Sequence, residues 1–239
     1  MNIWIFVWVV LAVFVLGVFF WSMEILFKQK RGWKKFSQSL NLNFQEQALL
    51  VSPVVEGNYK NFHITLYSEE QMMPESGRRQ YRTVIVLAFL EGFPTGGAVA
   101  TRGRREFVES LKVEEVHKPD FKGWNGSIVF HTQDDEVMTS FMNEDRYKSL
   151  QRLMNLKGKE TIFIFDDKEA YYRLETADPM DDPVVLEKMV MKLMAECDVL
   201  RPTNADKKLF KATKKKKAPS KKKKEDESEV KSDLKLEDD

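Results

Sequence analysis

Residues 3–23 read IWIFVWVVLAVFVLGVFFWSM, 21 positions without a charged side chain. No other feature constrains the fold as much. A helix rises 1.5 Å per residue and a bilayer hydrocarbon core is about 30 Å thick, so about 20 apolar residues make one crossing. Trp4 and Trp8 lie near one end of the run and Trp21 near the other, where amphipathic indoles favour the headgroup region. Ala12 and Gly17, with Ser22 at its end, are its small residues and stand five apart, so no GxxxG pairing face is present.

The alternatives to a retained anchor fit less well. A cleaved signal peptide carries a basic start, a shorter apolar core and a small-x-small cleavage site, whereas this run follows Met1 and Asn2 and ends in Phe19, Phe20 and Trp21. A buried core helix is rarely apolar on every face over such a length. N-myristoylation requires Gly at position 2. Lys28, Lys30, Arg31, Lys34 and Lys35 crowd the C-terminal flank, and basic residues beside a membrane helix resist translocation. The expected topology puts the N-terminus outside and the rest of the chain in the cytoplasm, with a bacterial inner membrane as the favoured setting.

The next stretch, 29–42, carries Trp33, Phe36 and Leu40 at helical spacing with lysine and arginine on other faces. This pattern predicts a basic amphipathic helix that emerges lying partly on the lipid surface. The organisation expected from these signals is an anchor over 1–27, a basic juxtamembrane helix over 28–42, a domain over 43–202 and a tail over 203–239. From Trp33 to Pro202 there are 170 residues, enough for one domain with a core. The single cysteine, Cys197, excludes an intramolecular disulfide and agrees with a reducing compartment.

The net charge of +1 conceals a segregated tail, with eleven lysines and no carboxylate over 207–224, then eight carboxylates and two lysines over 225–239. Almost no apolar residue is present there to offset chain entropy, so the tail is expected to be disordered. It suits an anionic leaflet or its own acidic end better than nucleic acid, because no aromatic interleaving accompanies the charge.

Between anchor and tail the pattern is mostly of strands and hairpins, followed by helices. Residues 54–59 and 62–67 form a predicted hairpin around Lys60 and Asn61, with Phe62, Ile64 and Leu66 on its core face. After a polar stretch over 68–80, the unbroken run TVIVLAFL predicts a central strand buried on both faces. Strands are also expected over 98–101, 127–132, 161–165 and 170–174, and helices over 105–111, after Thr132 or Asp134, over 145–156, and from Asp182-Pro183 through Cys197. The order implies an α+β fold, an antiparallel sheet with helices on one face; a closed barrel with a terminal helix is the competing architecture.

No catalytic, cofactor or metal signature is present in the sequence. His63, His117 and His131 have no second ligand at zinc spacing. The acidic groups at 134–136, 166–167 and 178–182 suit caps and turns. The stretch PTGGAVATRG lacks the lysine and spacing of a phosphate loop. The strongest site candidate is basic, with Arg78, Arg79 and Arg82 beside one predicted strand and Arg102, Arg104 and Arg105 at the end of another. If the sheet brings both groups to one end, their guanidiniums can meet phosphate or carboxylate, from lipid headgroups or an acidic partner.

The expected function is therefore a non-enzymatic, membrane-tethered interaction or assembly module, bound to lipid through 3–23 and to a protein partner through the domain. The competing expectations are a membrane-bound enzyme with a site assembled from scattered residues, and a tether for anionic lipid. A large apolar groove without clustered ionisable groups would favour the interaction module, and a deep pocket holding a carboxylate beside His63, His117 or His131 would favour the enzyme.

Overall fold

The computed structural model describes residues 3–72, 79–111, 113, 115–119 and 121–206. Arg78 and the lysine-rich and acidic tail over 207–239 lie outside them. The chain divides into two units, Met1–Arg201 and Pro202–Asp239. In the second, Thr203 and Asp206 close a turn: the Thr203 amide and hydroxyl donate to Asp206 Oδ2 at 2.7 and 2.8 Å.

The first unit begins with one unbroken helix, α1 (Ile3–Ser39), long and apolar enough in its N-terminal part to cross a membrane. The apolar stripe of its C-terminal part faces the domain and not a lipid surface. Trp33 and Phe36 are completely buried and Leu40 nearly so, and Trp33 Nε1 donates to the Met180 carbonyl at 3.1 Å. Residues 29–40 are therefore a core element, because burying Trp33 and Phe36 removes large apolar surfaces from water. The helix ends in a Schellman motif, with Leu42 N donating to Ser37 O at 2.8 Å and Asn41 to Gln38 O at 3.4 Å. Asn41 takes the left-handed conformation (φ 55°) that glycine usually supplies.

Nine strands follow: β1 (Asn43–Gln45), β2 (Val54–Tyr59), β3 (Phe62–Met72), β4 (Arg79–Phe89), β5 (Gly97–Ala100), β6 (Glu115–Val116), β7 (Val129–Thr132), β8 (Glu160–Phe165) and β9 (Ala170–Thr176). They form one antiparallel sheet in the order β1-β2-β3-β4-β9-β8-β5-β7-β6. The sheet is open, with β1 and β6 as its edges, so the barrel alternative is set aside. The β8–β9 hairpin inserts between β4 and β5, and the chain from β4 crosses over its turn. There Phe93 N donates to Asp166 O at 2.6 Å, and a Cβ on Gly92 would fall 2.3 Å from the Asp167 backbone, so only glycine fits the crossing.

Among the described residues four more α-helices are present, α2 (Arg105–Ser110), α3 (Asp135–Phe141), α4 (Glu144–Met154) and α5 (Pro183–Leu200), with a 3-10 turn (Arg102–Arg104) leading into α2. Their starts follow from local chemistry: Asp134, Asn143 and Asp182 accept hydrogen bonds from the first free amides of α3, α4 and α5. The acidic clusters act as caps and turns, since Asp166 Oδ1 accepts from Lys168 N and Glu169 N at 2.8 Å each, and Asp178 Oδ1 from Met180 N at 2.9 Å.

One sheet face, bearing Ile64, Leu66, Ile85, Leu87, Phe163, Phe165, Tyr172 and Leu174, is buried beneath α3, α4, α5 and the end of α1. Tyr172 donates its hydroxyl to Leu153 O of α4 at 3.0 Å, and Phe93, Phe141, Phe163 and Phe165 form an aromatic cluster with centroids 5.1 to 5.6 Å apart along its contacts. Cys197 belongs to this core, where burial pushes its thiol pKa well up and leaves it a small apolar residue. The short α2 is the exception to helices on one face: Val108 packs on Ala98, Ala100 and Ile162 of the opposite side.

Of the polar stretch expected to separate two short strands, the described residues 68–72 and 79–80 instead extend β3 and β4, which pair along their whole lengths. Leu66 pairs with Ile85, Glu69 with Arg82 and Met72 with Arg79. The charged residues of this extension fall on both faces, Glu69 and Arg82 on the face opposite Leu66 and Ile85, and Glu70 and Arg79 on the same side as them, where they lie 3.7 Å apart.

Candidate functional site

The second sheet face is covered by α2 at one side and half-exposed over His63, Thr65 and Tyr67 of β3, Val86 and Ala88 of β4, and Tyr171 and Arg173 of β9. Between α2 and this open area lies a groove of about 410 Å³. Phe107, Ile162 and Ile164 form its apolar wall, and Glu69, Gln71, Arg104, Tyr171, Arg173 and Glu175 its polar one. Strand alternation puts Tyr171, Arg173 and Glu175 here while Ala170, Tyr172 and Leu174 face the core.

The polar wall is one connected network centred on Glu175, whose side chain is 3% exposed. Its carboxylate contacts Arg104, accepts from Arg173 Nε at 2.7 Å and accepts from Gln71 Nε2 at 2.7 Å. Arg104 also reaches Glu160 at 3.0 Å and Gln71 Oε1 at 3.0 Å, and Arg82 pairs with Glu160 at 2.8 Å. Arg173 bonds Tyr67 Oη at 2.9 Å and pairs with Glu69. Burial works against the Glu175 charge, but the hydrogen bonds from Gln71 and Arg173, with the charges of Arg104 and Arg173, outweigh it and hold the carboxyl below its ordinary range. Burial pushes the Tyr67 and Tyr171 phenols up.

Five of the six arginines singled out in the sequence are described, all but Arg78. The sheet brings Arg82 and Arg104 together, but as counterions to Glu160 and Glu175. Arg79 lies 3.7 Å from Glu70, Arg105 makes an i,i+4 pair with Glu109 at 2.8 Å, and Arg102 is exposed. Among the described residues, four of these arginines face carboxylates and Arg102 alone shows no such pair. The acidic partners and Arg173 went unremarked in the sequence because they sit on strands far apart in the chain; the alternation along β9 was the one available signal.

The histidines lie elsewhere. His117 is buried, with Nδ1 on Asp135 and Nε2 2.7 Å from Tyr147 Oη, and its ring lies 4.5 Å from that of Phe130. A carboxylate does stand beside this histidine, but both ring nitrogens are engaged and the groove does not reach it. His63 Nδ1 meets Asn58 Oδ1 at 2.8 Å, and His131 Nδ1 meets Val113 O at 3.2 Å. Neither histidine nor cysteine lines the groove, and among the described residues no three His, Cys, Asp or Glu side chains converge to hold a metal.

The basic flank of α1 also divides. Lys30 turns inward, donating to Ala48 O at 2.9 Å and Gln47 O at 3.3 Å. Lys28 pairs with Glu24 at 2.9 Å on the surface, while Arg31, Lys34 and Lys35 are exposed. Gln29 Nε2 donates to Ser68 Oγ at 3.2 Å and Pro179 O at 3.1 Å, so α1 enters beside β3 and the segment leaving β9. The groove's Glu69, Gln71 and Glu175 thus lie toward the sheet end from which the apolar part of α1 departs. No family model matches this chain, and a search of curated proteins finds no match to it.

Proposed function

We propose that this protein is a non-enzymatic, membrane-tethered interaction module. In this reading the apolar part of α1 spans the cytoplasmic membrane of a bacterium, the N-terminus lies outside, and the groove on the half-open sheet face receives a segment of a partner protein. The observation that carries it is the asymmetry of the sheet. One face is sealed by helices, while the other keeps a groove with an apolar wall opposite fixed donors and acceptors, on a domain continuous with an apolar helix. Such a surface offers shape and charge pattern to a polypeptide, and its paired charges suit a partner carrying both signs better than a phosphate-rich ligand. The exposed Arg31, Lys34 and Lys35 on the C-terminal flank of the apolar run support the orientation.

Photo-crosslinking in native membranes tests this reading. A crosslinking residue at Tyr171 should capture a defined partner, and Phe107→Asp should abolish the product. The same residue at the exposed Thr139 of α3 should capture none. Equal products from both positions, or a Tyr171 product indifferent to Phe107→Asp, would remove the groove from the function.

A further inference from the structure

We infer that the β1–β2 loop is a second membrane contact, an apolar tip seated among the headgroups of an anionic leaflet beside the exit of α1. The inference rests on the reading of α1 as a membrane anchor. After α1 the chain reverses, so β1 runs back toward the apolar part of the helix and β2 runs away again, antiparallel to it. Their connection is thereby placed at the end of the domain nearest the apolar run.

Two contacts fix the loop against α1. The Lys30 ammonium binds the Gln47 and Ala48 carbonyls, and Ser52 Oγ donates to Gln29 Oε1 at 3.1 Å. Between them Val51 N donates to Ala48 O at 3.0 Å, closing a turn. Leu49, Leu50 and Val51 are held outward on this turn, 63%, 62% and 50% exposed. Single exposed leucines are ordinary, but three consecutive apolar residues on a pinned turn form a patch that favours a cover.

Depth and charge identify the cover as lipid. Leu49 shares a recess of about 380 Å³ with Phe27, Arg31 and Lys34. Phe27, which shares the recess with Leu49, is four residues past Met23, about 6 Å along the axis at 1.5 Å per residue, while the pinning residues Gln29 and Lys30 are six and seven past it, about 9–10 Å. The headgroup layer extends about 5–8 Å beyond the hydrocarbon on each side, so Leu49 beside Phe27 is level with it and the pins at Gln29 and Lys30 hold the base of the turn on its aqueous side. The recess wall carries Arg31 and Lys34 with one carboxylate, Glu46, and its net positive charge suits phosphate oxygens, as in interfacial elements that place apolar side chains below a basic rim. The Lys30 charge, bound to carbonyls, orients the loop.

The test uses the full chain in vesicles of phosphatidylcholine with phosphatidylglycerol, carrying one nitroxide label at Leu50→Cys, Val13→Cys or Thr139→Cys; the native Cys197 is completely buried. The Leu50 label should collide severalfold less with a water-soluble nickel chelate than the Thr139 label and be more accessible to oxygen. Val13 should show the deepest profile. Leu50 as exposed as Thr139, with Val13 still deep, overturns the loop contact and leaves the anchor standing. A water-exposed Val13 overturns the anchor reading and this inference with it. Shielding of Leu50 that needs added membrane proteins assigns the loop to a protein and also overturns it.

Discussion

Replacing Glu175 by alanine removes the carboxylate shared by Arg104, Arg173 and Gln71 and leaves two guanidiniums with surplus charge in the groove wall. Breaking a buried ion pair from one side costs about 3–5 kcal/mol. Here Arg104 and Arg173 are 27% and 24% exposed and keep Glu160 and Glu69, so water and the remaining partners reduce the expected loss to about 2–3 kcal/mol. For a domain of this size that corresponds to a fall in Tm of roughly 5–10 °C. Glu175→Gln keeps the shape and a hydrogen-bonding group and should fall between alanine and wild type. The pH dependence has a defined sign. The folded-state pKa of Glu175 lies below the ordinary 4.5, so its stabilisation is present above that pH and is lost as pH falls through the folded value. Thermal unfolding of the full chain in lipid nanodiscs, followed by circular dichroism of the sheet, measures both effects. An alanine variant within about 2 °C of wild type at neutral pH, or one with an unchanged acid limb, would refute the network as a stabilising element.

Three further substitutions examine how α1 and the histidine cluster are built in. A Cβ on Gly32 would fall 1.9 Å from the Asp181 carbonyl oxygen, so Gly32→Ala should destabilise by about 1–2 kcal/mol despite a helix-propensity gain of about 1 kcal/mol. Gly17→Ala, with no atom within 4 Å of the new Cβ, should leave the unfolding transition unchanged, and equal Tm values for the two variants would contradict the close approach. His117→Ala leaves Tyr147 and Asp135 without the ring between them and should cost about 2–4 kcal/mol through cavity and lost hydrogen bonds. Crosslinking from Tyr171 should persist in the folded fraction; a loss of capture with no loss of stability would give His117 a role beyond packing.

The sequence by itself determined the elements governed by local chemistry. Residues 3–23 are apolar on every face, so a helix long enough to cross a membrane follows from length alone. Asp182-Pro183 starts α5 because cap and proline act within one turn, and the alternation of Phe62, Ile64 and Leu66 sets a core face before any strand pairs. The α+β class follows from the same local patterns and their order. Tertiary structure decided what depends on distant neighbours. Trp33, Phe36 and Leu40 mark an amphipathic helix in sequence, but whether their stripe meets lipid or protein is settled by Met180 and Asp181, nearly 150 residues away. Likewise Arg82 and Arg104 read as available cations until pairing of β3, β4, β9 and β8 sets Glu160 and Glu175 against them. Charges act through space, and the separation of opposite charges that gives the groove its character is fixed by strand order.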